Sequence, residues 1–244
     1  MNTSFKTAGI IIIGDEILSG KIQDNNAFFM AKELWSHGIQ LCKISIIPDS
    51  IEEISEEVLS FSKKYDYVFT SGGIGPTHDD VTIEGISKAF NVKTVVNNTL
   101  KKHLEKKVGN PSVEQLKMAE VPEGAELIED ESISFPIIKF KNIYILPGIP
   151  ELLRKKFIAI EKIFNEPLIF LRKIYIKESE SEIAPFLKKI LSKFDNIKIG
   201  SYPVMNIEDY SVIVTIESRD KEKLDEAFKE LLDALKPKTI YKTE

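Results

Sequence analysis

The 244 residues carry 33 Lys and Arg against 38 Asp and Glu, a net charge of −5, so no broad basic surface points to nucleic acid. The single cysteine, Cys42, excludes an intramolecular disulfide and any multi-cysteine zinc or iron–sulfur cage. Uninterrupted apolar runs, Ile10–Ile13 and Ala27–Ala31 among them, fall far short of the ~20 residues that span a bilayer, and no secretion signal opens the chain, so a cytoplasmic protein without a membrane partner is expected.

Ala8-Gly9-Ile10-Ile11-Ile12-Ile13 has no polar alternation, as expected of a strand covered on both faces, and Gly14 ends it. Ala27, Phe28, Ala31, Leu34 and Trp35 form the stripe of an amphipathic helix, with Asp24 as its cap and Gly38 as its stop. A strand follows at Gln40–Ile47, and Trp35 and Cys42 are expected in the core. Ser50 and Glu53 spell a capping box ahead of a helix buried through Ile51, Ile54, Val58 and Phe61. Tyr67–Thr70 is a third strand, followed by a glycine-rich loop and a helix near Thr82–Phe90. Strand and helix alternate with short loops, which predicts a parallel sheet with helices on both faces.

Leu100–Val108 and Ser112–Ala119 read as helices, and Ile137–Phe140 and Ile143–Leu146 as short strands in a hairpin across Lys141-Asn142. Pro147-Gly148-Ile149-Pro150 precedes a helix carrying Leu152, Leu153, Phe157, Ile160 and Phe164. The lysine-rich stretches Lys101–Lys107 and Arg154–Lys156 read as solvated helix faces. Pro167 marks a boundary between domains 1–167 and 168–244. Beyond it the order is β-α-β-β-α-β: strands at Lys173–Lys177, Lys198–Tyr202, Ser211–Glu217 and Thr239–Tyr241, helices at Ser181–Lys193 and Lys221–Leu235. That order suits a ferredoxin-like unit or a KH-like one. The expected fold is therefore α/β, a three-layer, mostly parallel sheet followed by a smaller α+β domain.

Ligands of an open parallel sheet bind beyond the carboxyl ends of its strands. Three loops qualify: Gly14–Lys21, Ser71–Thr82 and Leu146–Pro150. Glycines let backbone amides approach an anion, and a helix start adds partial positive charge. Five residues lie between Gly14 and Gly20, where a P-loop has four, and Ile22 follows Lys21, so a P-loop is excluded; His78 stands where a dinucleotide fingerprint needs glycine or alanine.

Asp79 and Asp80 read as helix caps or as ligands of a cation. Asp15 follows a buried strand end, where charge needs a partner, and Glu16 stands beside it. Thr82 is either a cap or a phosphate contact, Asn26 either a local cap or a ligand contact. Glu84 suits the helix dipole, Lys21 a phosphate or solvent. His78 is a loop residue beside acids; His37 and His103 read as ordinary helix-surface residues.

Gly14-Asp15-Glu16-Ile17-Leu18, Gly72-Gly73-Ile74-Gly75-Pro76-Thr77-His78-Asp79-Asp80-Val81-Thr82 and Leu146-Pro147-Gly148-Ile149-Pro150 together resemble the molybdopterin-binding (MoaB/Mog-like) domain family. Within it they are most similar to the branch found in the N-terminal part of CinA proteins and of eukaryotic FAD synthases, and Ile199-Gly200-Ser201-Tyr202-Pro203 resembles the small domain that follows in both. The CinA deamidase and FAD synthase adenylyltransferase domains have no counterpart in these residues, so neither activity is carried over. What the resemblance implies is divalent-metal-dependent (Mg, Mn or Co) hydrolysis of a nucleotide pyrophosphate, FAD or ADP-ribose, with release of AMP. The alternatives are a molybdopterin-binding or adenylylating protein, with molybdopterin as ligand, and a non-catalytic nucleotide-binding domain. The implied catalytic residues are Asp80, Asp79 and Asp15, with Asp80 and Asp79 on the metal. Gly72, Gly73, Gly75, Thr77, Thr82, Asn26, Pro147 and Gly148 would hold the ligand. The family also implies a homo-oligomer, for which Phe135-Pro136-Ile137-Ile138 offers an apolar surface.

Overall fold

Strand β1 (Thr7–Ile13) is buried from Ala8 onward because helices cover both of its faces. The computed structural model describes residues 5–244. After Gly14 comes a single helical turn, α1 (Asp15–Leu18), and then α2 (Asn26–Ser36). Asp24 caps α2 as expected, accepting from Asn26 N at 3.1 Å and Ala27 N at 3.0 Å. The buried stripe of α2 is rotated from the expected one. Asn26, Ala27, Met30 and Leu34 face inward, Trp35 is half-buried, and Phe28 is 77% exposed. The side-chain amide of Asn26, hydrogen-bonded to other loops, fixes that rotation.

Strand β2 (Gln40–Ile47) lies at the sheet edge, and Cys42, expected in the core, is exposed there along with Ile44 and Ile46. Helix α3 (Ile51–Lys64) starts on the serine half of its box, Ser50 Oγ accepting from Glu53 N at 3.4 Å, and buries Ile54, Val58 and Phe61. Strand β3 (Tyr67–Ser71) and helix α4 (Thr82–Ala89) flank the glycine-rich loop. The chain continues through β4 (Thr94–Val96), α5 (Asn98–Val108), α6 (Val113–Lys117), β5 (Glu120–Pro122) and β6 (Glu126–Ile128). The hairpin β7 (Ile137–Phe140) and β8 (Ile143–Leu146) then leads into α7 (Pro150–Ile160), with proline in its first turn.

The main sheet runs β2-β1-β3-β8-β7-β6; β2, β1, β3 and β8 are mutually parallel, while β7 and β6 each oppose their inner neighbour. β4 and β5 form a separate antiparallel ribbon. The isoleucines of β1 divide between two cores. Ile11 and Ile13 pack with Ile54, Val58 and Phe61 on one face; Ile10 and Ile12 pack with Met30, Leu34, Phe69 and Phe157 on the other. Pro136, Ile137 and Ile138 are buried within their own subunit, so the stretch expected to offer an oligomer surface does not provide one.

Two units divide at Glu166/Pro167. The second contains β9 (Phe170–Ile176), α8 (Glu180–Lys193), β10 (Ile197–Pro203), β11 (Val212–Ser218), α9 (Lys221–Ala234) and β12 (Ile240–Thr243). Its sheet order is β10-β11-β9-β12 with every neighbour antiparallel, the ferredoxin-like arrangement rather than the KH-like one. Alternate residues of β11, Val212, Val214 and Ile216, pack with Ile183, Ile190, Leu224 and Leu231 of the two helices in a core of their own.

Candidate active site

The three candidate loops leave the carboxyl ends of adjacent strands β1, β3 and β8 and line one cavity of about 740 Å³. Backbone contacts bind the loops together. Gly72 N donates to Leu146 O at 3.2 Å, and a Cβ on Gly72 would lie 2.1 Å from Ile13 O, so only glycine passes between β1 and β8 there. A Cβ on Gly148 would meet Gly72 Cα at 3.4 Å. Asn26 Nδ2 donates to Ser71 Oγ (3.0 Å) and Gly148 O (2.7 Å), and Ser71 Oγ donates to Pro147 O (3.3 Å). These bonds fix the amide orientation and leave Asn26 Oδ1 buried without a partner. An unsatisfied buried acceptor at a cavity wall is suited to a ligand donor.

Thr82 is fully buried and is absent from the cavity wall. Its hydroxyl donates to Gly72 O at 2.9 Å and its N–H to Gly73 O at 3.0 Å. The expected phosphate contact is therefore replaced by a brace that holds the glycine loop in shape. Thr82→Val, which keeps the volume and removes the proton, is expected to lower stability by about 1 kcal/mol in urea unfolding, and a loss of ligand affinity without any stability change would return Thr82 to the ligand.

Thr77 likewise turns away from the cavity and supports Asp80: its N–H (2.8 Å) and its hydroxyl both donate to Asp80 Oδ2. The Asp80 carboxylate lies against Gly75, where a Cβ would come within 2.6 Å of Oδ2, and its other oxygen accepts from no donor among the described residues. Asp79 is exposed and lines the cavity. The exposed side chain of Asp15 does not; the residue contributes its N–H, which donates to Asp49 Oδ2 at 2.9 Å. Glu16 folds back toward Gly14 and lines the wall where Asp15 was expected.

Asp49 was missed by sequence reasoning. It follows β2 directly, the carboxyl-end position that such sheets use for ligands, and that was the available signal. Half-buried, its carboxyl is pushed up from the ordinary range first by burial, partly offset by the Asp15 N–H, with Glu16, Asp15 and Asp79 adding repulsion. Glu16, Asp49, Asp79 and Asp80 thus line one cavity with the glycine loop, but no three of them bring ligand oxygens within 4.8 Å of one another. Lys117 Nζ lies 3.4 Å from Glu84 Oε1 and donates to Thr77 O at 3.3 Å; Glu84 Oε2 is buried and unpartnered. Lys21 and His78 are exposed and do not line the cavity. Among the described residues one set of three metal-ligating groups has ligand atoms within 4.8 Å of one another, Glu33, His37 and Glu161, and none of these lines the cavity.

Lys156, expected in solvent, is 9% exposed and lines the cavity. Its Nζ donates to Pro136 O at 2.7 Å and forms no ion pair among the described residues. Burial alone lowers its pKa from 10.5 to about 8. The folded value lies below the unfolded one, so its stabilising contribution is present above pH 10.5 and is lost as pH falls through about 8. Lys156→Met is expected to be more stable than the parent by about 2 kcal/mol at pH 7, allowing for the Pro136 carbonyl left bare. That advantage should vanish by pH 10.5 in melts run across the range. A pH-independent difference would contradict the buried charge.

The fold and cavity define an α/β domain with a cavity at the carboxyl edge of a mostly parallel sheet, followed by a ferredoxin-like unit. Residues 9–166 match the family described as "Probable molybdopterin binding domain", and residues 168–244 match "FAD synthase, middle domain". The chain belongs to this molybdopterin-binding domain family. It is 36% identical over 229 residues to a protein of Archaeoglobus fulgidus, covering 94% of this chain and 98% of that one. It is 32% identical to a "Probable FAD synthase" of Caenorhabditis briggsae over 93% of this chain but 50% of the relative, so it spans about half that protein's length. The crystal structure of CinA from Thermoplasma acidophilum, a protein of unknown function, superposes with a TM-score of 0.61 at 32% identity, covering 66% of this chain and 99% of that one. Among the described residues no helix is long and apolar enough to cross a membrane.

Proposed function

We propose that the chain hydrolyses a nucleotide pyrophosphate of the FAD or ADP-ribose type with a divalent cation, Mg, Mn or Co, releasing AMP. The observation that carries this reading is that four carboxylates, Glu16, Asp49, Asp79 and Asp80, line the same cavity as Gly72, Gly73 and Gly75. Among the described residues the N–H groups of Gly73, Ile74 and Gly75 have no acceptor and can donate to phosphate oxygens, whereas Gly72 N–H is committed to Leu146 O. Asp80, with Asp79, would hold the cation, which supplies charge neutralisation and a more acidic attacking water. Asp49, its pKa raised, is the side chain suited to accept that water's proton as it attacks phosphorus. The P–O bond to the bridging oxygen breaks and a phosphate monoester leaves. Incubation with FAD, ADP-ribose or ATP and each metal should yield AMP from a dinucleotide; none from any of them removes the reading.

The unpartnered Asn26 Oδ1 and the family description also favour molybdopterin as ligand, with adenylylation or binding alone in place of hydrolysis. Pterin binding without nucleotide turnover in the same assay would select it. The partner in either case is a small molecule. We also propose a homo-oligomer, with light scattering expected at a multiple of 27.7 kDa and a monomer mass at micromolar concentration contradicting it.

A further inference from the structure

Glu16, Asp49, Asp79 and Asp80 of the cavity follow β1, β2 and β3, and Lys107, Lys117 and Lys155 line it as well, whereas Lys156 meets Pro136 at the start of β7, beyond β8. Two strand spacings, about 10 Å, separate the glycine loop after β3 from this lysine. The aromatic ring of Phe135 lies beside it, its centroid 5.4 Å from Nζ, and both side chains line the cavity. A buried ammonium without a carboxylate is costly to the fold, and one of its three donors is committed to Pro136. A phosphate dianion on this wall would remain undercompensated by one lysine. A flat ring carrying carbonyl oxygens would bury its faces against apolar side chains and give the remaining donors an acceptor.

We propose that Lys156 and Phe135 form a ring subsite, about 10 Å from the phosphate loop, that selects a carbonyl-bearing heteroaromatic ring of the dioxopyrimidine or oxopyrimidine class. This rests on the reading of the cavity as a nucleotide or pterin site and names the end of the ligand opposite its phosphates. Asn26 Oδ1 supplies an acceptor for a ligand N–H or O–H between the two ends.

The test titrates riboflavin, FAD and ADP-ribose against the wild-type chain, Lys156→Met and Lys156→Gln, with circular dichroism confirming that each variant is folded. Riboflavin has the ring without a phosphate; ADP-ribose has the pyrophosphate without such a ring. Both variants should bind riboflavin and FAD at least tenfold more weakly and ADP-ribose within twofold of wild type. An equal loss on ADP-ribose, no loss on riboflavin, or a wild-type chain that binds neither flavin would overturn the subsite. Lys156-dependent riboflavin binding without AMP release from FAD keeps the subsite and removes the hydrolase. AMP release with flavin affinity indifferent to Lys156 does the reverse.

Discussion

Asp80→Ala is expected to remain folded while AMP release slows at least ~100-fold, about 2.7 kcal/mol of transition-state stabilisation. Asp80 Oδ2 is committed to Thr77, accepting from its N–H and its hydroxyl, while the second oxygen is available to a cation. The alanine variant removes both roles and should lose about 1 kcal/mol of stability from the loop. Asp80→Asn separates them, because an amide oxygen still accepts from Thr77 but carries no charge. Thermal melts of the asparagine variant should match the parent while its rate falls nearly as far as that of alanine. Near-normal kcat in a folded Asp80→Asn protein would remove Asp80 from the metal and leave it a loop brace.

The parts of the fold legible in the sequence were those whose signal is local. The isoleucine run of β1 announces a strand buried on both faces, and Asp24 caps α2 by short-range geometry that its position already implies. The Lys141-Asn142 turn is equally local, with Lys141 at φ 55° between paired strands. β4, β5 and β6 have three residues each, too few for a period to show. Periodicity gives the angle of a face but not its depth. Phe28 and Cys42 follow apolar patterns yet are exposed, because one lies beside the buried stripe of α2 and the other on an edge strand. The site divides in the same way. The loops are visible in the chain, but Asp49 joins them only because β2 pairs beside β1, and Lys156 only because α7 packs over the start of β7. A lysine between Lys155 and Phe157 looks solvated until the carbonyl of Pro136 is placed against it.

Gly72→Ala is expected to be the most damaging single change at the site, costing about 4 kcal/mol or more. Two effects combine. Gly72 has φ 112°, outside the range that L side chains adopt readily, which contributes roughly 1–2 kcal/mol. Its Cβ would also lie 2.1 Å from Ile13 O, a backbone atom of a strand paired on both sides that cannot rotate away. Relief requires the loop to shift, which breaks Gly72 N to Leu146 O and Thr82 Oγ1 to Gly72 O and brings overpacking costs of about 1–3 kcal/mol. Gly20→Ala is the control: its φ of 71° is also left-handed, but nothing lies within 4 Å of its Cβ. It should cost only about 1 kcal/mol. At roughly 2–4 °C per kcal/mol for a domain of this size, calorimetry should separate the two variants by several degrees. Equal melting temperatures would mean that the β1 strand end yields, and that the close packing of Gly72 against Ile13 does not hold the loop. If the Gly72→Ala protein remains folded at low temperature, it should also bind nucleotide more weakly than the Gly20→Ala protein, because Gly73, Ile74 and Gly75 move with the residue that anchors them.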